Sequence, residues 1–139
     1  MNIEFDLRQV MEQLDELSNA DGVPDEKDVL EAVRMIIDRR HNQIDIDGIA
    51  NCLNISRRTL ERRFRKMFGL PIRRVVTLIR LELARQLLCE TDLSIFDVSA
   101  EVGFSSHSRM VNVFQRYLRC SPQEVRRLNS LTRNEEPPE

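Results

Sequence analysis

The residues in this chain best equipped for chemistry are its arginines. Of 21 basic residues all but Lys27 and Lys66 are arginine. A guanidinium presents planar, forked donors that match a phosphate group or the edge of a guanine. These side chains crowd between residues 54 and 85, where ten bases stand against Glu61 and Glu82. That density is the electrostatic footprint of a nucleic-acid surface. A solvated, ion-paired helical face would give the same count, so charge alone leaves both readings open. Other chemistries lack the residues to carry them. His41 and His107 are the only histidines, and Cys52, Cys89 and Cys120 are far apart, with no Cys-x-x-Cys pair. Neither a metal centre nor a disulfide framework is expected, and the three thiols read as core residues. No glycine-rich phosphate loop, carboxylate pair or Ser/His/Asp set can be assembled, so neither an enzyme nor a bound cofactor is expected.

The net charge of -2 conceals a division along the chain. Residues 1–26 sum to -7, residues 27–131 to +7 and residues 132–139 to -2. An acidic arm and an acidic tail therefore flank a basic body. With 139 residues, 41% hydrophobic and 32% charged, the chain has room for one globular domain and short extensions. No apolar run approaches the ~20 residues of a membrane span, and the acidic N-terminus is no signal peptide. A protein of the reducing cytoplasm, away from membranes, is expected.

The elements that must position the arginines read as helices throughout. Ile3, Leu7, Val10, Leu14 and Leu17 recur at alternating four- and three-residue steps, predicting an acidic helix with a narrow apolar seam. That seam suits pairing with a second copy, or packing onto the body. Asp25 is placed to cap a helix over 26–40 with Val29, Leu30, Val33, Ile36 and Ile37 on its apolar side. Asp45 caps a short helix through Leu53, and Ser56 caps one reaching Phe68. Gly69 stands where a left-handed helix end is wanted, and Pro71 where a new helix starts. The long helix to Glu90 should bury Val75, Ile79, Leu83 and Leu87, flanked by Val76 and Leu88, and Leu81 and Ala84 also read as core. Ser94 opens a short helix, Ser105 or Ser106 the next, and Ser121-Pro122-Gln123-Glu124 a last one carrying Val125 and Leu128. The expected organisation is an N-terminal helix and linker over 1–25, a body over 26–130, and a disordered tail over 131–139.

The body contains one unit twice. Ile46 to Ser56 and Ile95 to Ser105 align at an offset of 49, matching apolar positions, the small residues Ala50 and Ser99, and the turn residues Asn54 and Gly103. Beyond the turn the offset becomes 50, pairing Leu60 with Met110, Phe64 with Phe114 and Phe68 with Leu118. Each copy is a short helix, a tight turn and a serine-capped helix, the pattern of a helix-turn-helix. The two units span about 45–68 and 94–118. Their connector, about 71–90, would extend about 28 Å at the helical rise. Adjacent major-groove faces of a duplex lie about 34 Å apart, so one chain could present two recognition helices to one side of DNA.

Residues from about 27 to 129 resemble the DNA-binding domain of the AraC/XylS family of bacterial transcription regulators. The resemblance rests on Ser56-Arg57-Arg58-Thr59-Leu60-Glu61-Arg62-Arg63-Phe64, Phe68-Gly69, Arg80-Leu81-Glu82-Leu83-Ala84-Arg85, Glu101-Val102-Gly103-Phe104-Ser105 and Ser121-Pro122. It implies an all-α fold of seven helices after the acidic one, with two helix-turn-helix units joined by a long central helix. Its implied partners are double-stranded DNA and RNA polymerase. By position, the resemblance assigns base contacts to Arg58, Glu61 and Arg62 in one groove and to His107, Ser108, Val111 and Asn112 in the next. Arg57, Arg65, Arg73 and Arg109 fall at phosphate-contacting positions. Glu61 is also placed to pair with Arg57 or Arg65 one helical turn away. Three positions depart from the family pattern: Met110 replaces an aromatic residue, Asn112 a common contact residue, and Arg119 a glycine, predicting a different cap there. Full-length members carry a larger sensor domain, for which residues 1–22 are too short. A free-standing regulator, the end of a longer one, and a homodimer through residues 3–17 all remain open. The alternative from another class is a helical adaptor or anti-activator that binds a sigma factor or polymerase subunit.

Overall fold

A computed structural model describes residue 12, residues 24–38 and residues 45–135; the seam from Ile3 to Leu17 and residues 136–139 lie outside that description. The described residues form seven helices and no strand. They divide into two compact units, one ending at Ile79 and one beginning at Arg80.

In the first unit, α1 (Pro24–Asp38) buries Val29, Ala32, Val33 and Ile36, one face of a helix at three- and four-residue spacing. Asp25 lies inside α1, not at its cap, because the helix already begins at Pro24, where the missing N–H is harmless. In α2 (Ile46–Cys52) the Asp45 carboxylate accepts the Asp47 N–H at 3.1 Å. The chain then turns through Asn54 at φ 58°, and the Ile55 N–H donates to the Ala50 carbonyl at 3.1 Å. α3 (Arg57–Phe68) starts where Ser56 Oγ accepts the Thr59 N–H at 3.1 Å, and it buries Leu60, Phe64 and Phe68. Gly69, at φ 70°, ends it by donating to the Arg65 carbonyl at 2.8 Å. Ile72, Val75, Val76 and Ile79, from the first half of α4 (Ile72–Glu90), complete this core.

The second unit repeats the design. Ser94 Oγ accepts the Asp97 N–H at 3.0 Å to open α5 (Ile95–Glu101). Gly103 turns at φ 92°, and the Phe104 N–H donates to the Ser99 carbonyl at 3.0 Å, the counterpart of the Ile55–Ala50 bond. Ala50 and Ser99 are both buried, so a small side chain sits in each corner as the alignment required. Ser106, not Ser105, caps α6 (His107–Leu118), which buries Met110, Val113 and Phe114. Met110 is fully enclosed, so the thioether fills the place of an aromatic ring. α7 (Pro122–Glu135) opens with Ser121 Oγ accepting the Glu124 N–H at 3.1 Å.

Several expectations need correction. In the second unit α4 buries Leu81 and Ala84, which read as core, together with Leu88, but Leu83 and Leu87, expected on the buried side, are only half-buried. One stripe cannot run the length of α4, because its two halves pack into separate cores. Arg119 does not change the cap of α6: it adopts φ 54° and donates to the Gln115 carbonyl at 3.1 Å, as Gly69 does after α3. Leu128 is 53% exposed, and Cys52 is an exposed thiol with no place in a core. Finally, α7 continues through Glu135, into the segment expected to be a disordered tail from 131.

Candidate nucleic-acid interface

Burial of Leu60, Phe64 and Phe68 on one side of α3 turns Arg58, Arg62 and Arg65 to the solvent on another. These three recur at four- and three-residue spacing and form a single stripe. With Glu61, they line a depression of about 510 Å³ that is also lined by Pro71 and by Ile72 and Arg73 at the start of α4. Four arginines and one glutamate thus share its lining. Of the residues expected at DNA from the first unit, Arg58, Glu61, Arg62, Arg65 and Arg73 are brought together; Arg57 is not on the lining.

Arg57 is instead engaged beside it. Its Nε donates to Glu61 Oε1 at 2.9 Å, and its Nη1 lies 3.4 Å from Asp47 Oδ2. The Glu61 hydrogen bond is the chief cause raising the Arg57 pKa, opposed by burial and aided by Asp47. Between the two partners open to Glu61, the structure has Arg57. Two further members of the basic run also serve the scaffold. Arg63 on α3 pairs with Asp28 on α1. Arg85 grips Glu82 through two bonds of 2.9 and 2.5 Å, which raise its pKa. Arg58, Arg62, Arg65 and Arg73 make no ion pair among the described residues.

In the second unit His107, Ser108, Arg109 and Asn112 are exposed at the start of α6, and Val111 is half-buried. The offset of 50 matches the arginine stripe of α3 with Ser108, Asn112 and Gln115, all exposed and all neutral. Equivalent faces therefore carry charge in one unit and hydrogen-bonding amides and hydroxyls in the other. Sequence reasoning gave Arg80 no role. It is half-buried in α4, and its pKa is lowered first by burial and then by the neighbouring charge of Arg109. Its position between the apolar Ile79 and Leu81 was the available sign of that partial burial.

Among the described residues no helix is long and apolar enough to cross a membrane, and no cluster of His, Cys, Asp and Glu could hold a metal ion. A model of a helix-turn-helix domain matches residues 49–128. The xylose operon regulatory protein of Escherichia coli K12 is 33% identical over 102 residues, which cover 73% of this chain and 26% of that protein. This chain thus spans about a quarter of that relative's length. The fold is similar to an AraC-type transcriptional regulator structure from Chromobacterium violaceum, with TM-score 0.70, 30% identity, and coverage of 76% of this chain and 94% of that one. It is also similar to the DNA-binding domain of the global transcriptional factor AdpA, solved with a target DNA, at TM-score 0.72 and 30% identity over 78% of this chain and 97% of that one. With two helix-turn-helix units of matching caps and turns already in place, these likenesses show that the chain belongs to the AraC-type family of DNA-binding transcription regulators.

Proposed function

We propose that α3 and α6 enter adjacent major grooves and read sequence there. The observation that carries the proposal is the stripe of Arg58, Arg62 and Arg65, exposed and without ion pairs among the described residues. Arg58 and Arg62 read guanine through paired donors, and Glu61 accepts from cytosine where Arg57 releases it. In the second groove Asn112 reads adenine, with His107, Ser108 and Val111 against neighbouring base edges. Arg57, Arg65, Arg73 and Arg109 hold phosphates and set register. Arg80, next to Arg109, strengthens the local field.

Fluorescence anisotropy with a mixed-sequence duplex of about 25 base pairs across a salt series tests the electrostatic part. The expected log-log slope is about -4 to -8. With an operator selected from random fragments, Arg58→Ala and Arg62→Ala together should each remove about 1–3 kcal/mol of discrimination and abolish site preference. Retained preference would overturn the assignment. Absence of binding at low salt would favour an adaptor that engages a polymerase subunit without DNA.

RNA polymerase is the second partner in this proposal. Support comes from two exposed apolar side chains in the second unit, Leu93 at 37% and Phe96 at 67% exposure, which suit a protein surface better than a phosphate backbone.

A further inference from the structure

We propose that Arg80 of α4 and Arg109 of α6 together hold one phosphate of the duplex backbone, so that Arg80 is itself a DNA contact of the second unit. The proposal rests on the DNA-binding reading and adds to it a residue outside both recognition helices. Three observations carry it. Arg80 is half-buried, and its Nε is enclosed with no hydrogen-bond partner. Neither Arg80 nor Arg109 makes an ion pair among the described residues. The two cations are nonetheless near enough to act on each other, since the Arg109 charge adds to burial in lowering the Arg80 pKa.

Such an arrangement is unfavourable in the free protein. A half-buried guanidinium without an acceptor loses hydration that nothing replaces, and a second cation beside it adds repulsion. Other arginines of this fold are given a carboxylate: Arg57 has Asp47 and Glu61, Arg63 has Asp28, and Arg85 has Glu82. The first turn of α6 contains no acid that would serve Arg109. An anion arriving from outside relieves both penalties at once, because its oxygens accept from both guanidinium groups. Arg109 is exposed beside His107, Ser108 and Asn112, the side chains proposed at base edges. The anion it meets there is the phosphate flanking those bases. With Nε enclosed, Arg80 has its two terminal nitrogens to offer the same phosphate.

The test uses the full chain and the variants Arg80→Met, Arg109→Met and the two combined. Without DNA, Arg80→Met should raise the urea midpoint, and Arg109→Met should raise it only while Arg80 is present. At ~150 mM salt each single change should weaken binding about three- to tenfold, equally for a selected operator and a mixed-sequence duplex of about 25 base pairs. The double variant should lose little more than either single one, and its log-log salt slope should shrink by about 0.9, one phosphate. Losses that multiply, with a slope change of about 1.8, would mean two separate phosphates and overturn the shared site. A lower urea midpoint with unchanged duplex affinity would make Arg80 a purely structural residue. The Arg80 Nε–Hε signal, followed by NMR, identifies the source of the anion. It should move on adding duplex and stay in place with inorganic phosphate at equal ionic strength. A signal unmoved by duplex, or moved equally by inorganic phosphate, would overturn the assignment to the DNA backbone. If inorganic phosphate moves the signal while the unaltered chain binds no duplex, the arginine pair stands as an anion site and the DNA reading falls.

Discussion

At the scale of single residues, local bonds made the helix caps legible and left one pairing open. Ser56, Ser94, Ser106 and Ser121 each accept an N–H three residues on, a bond decided within one turn of chain. Glu61 had two arginines within a helical turn. Arg57 also reaches Asp47 on α2, and a second carboxylate favours that choice over Arg65. Arg119 shows where a residue rule was overridden. The expectation of a changed cap assumed that a side chain would avoid the left-handed region. The chain adopts φ 54° there, at a cost of about 1–2 kcal/mol, because the turn into α7 requires it. Asn54 holds a similar φ of 58° with less strain, since asparagine tolerates that region. Arg119→Gly should relieve the strain, less the entropy that glycine adds to the unfolded chain. The expected gain is about 0.5–1 kcal/mol, seen as a higher urea midpoint with an unchanged slope.

Helices were readable where one face of one element met one core, and misread where an element served two. α3 and α6 follow a single apolar side and match expectation through Leu60, Phe64, Met110 and Phe114. α4 matches only in part: Leu81 and Ala84 are core as expected but Leu83 and Leu87 are not, because Ile72–Ile79 pack into the first unit and Leu81, Ala84 and Leu88 into the second. No periodicity within α4 marks the residue at which the cores change. The end of α4 poses a similar problem. Its last turn contains no base to oppose the exposed carbonyls. Arg126 of α7 supplies one, donating to the Leu88 carbonyl at 3.1 Å and the Thr91 carbonyl at 3.3 Å, while Asn129 donates to Cys89 at 3.3 Å. These partners lie 35 to 40 residues apart in sequence. Arg126→Ala should therefore lower unfolding free energy by about 1.5–3 kcal/mol. Chemical denaturation followed by helical circular dichroism measures it, and a loss under ~0.5 kcal/mol would remove α7 from the support of α4.

For the molecule as a whole, the net charge of -2 describes no surface that a partner meets. What matters is the separation of acids before α1 from arginines on α3, together with the contrast between the arginine stripe of α3 and the neutral stripe of Ser108, Asn112 and Gln115 on α6. Phe96 belongs to neither stripe. At 67% exposure on α5 it is a large apolar group left to water, and it is the proposed contact to polymerase. Phe96→Asp should lower transcript yield several-fold in a purified run-off reaction while duplex affinity stays within about twofold. Equal loss of both would assign Phe96 to folding or DNA instead.

By itself the sequence determined the helix starts from Asp45 onward, the repeated unit, the buried small corners and the arginine stripe. All of these depend on bonds or periodicities within about one turn to two dozen residues of chain. Only the tertiary structure decided which arginines remain free of carboxylates. Asp28 takes Arg63, Asp47 and Glu61 take Arg57, and Glu82 takes Arg85, leaving Arg58, Arg62, Arg65 and Arg73 around one depression. A charge count treats every arginine alike. Ion pairing depends on which helix faces which, and that is set by packing of the cores beneath them.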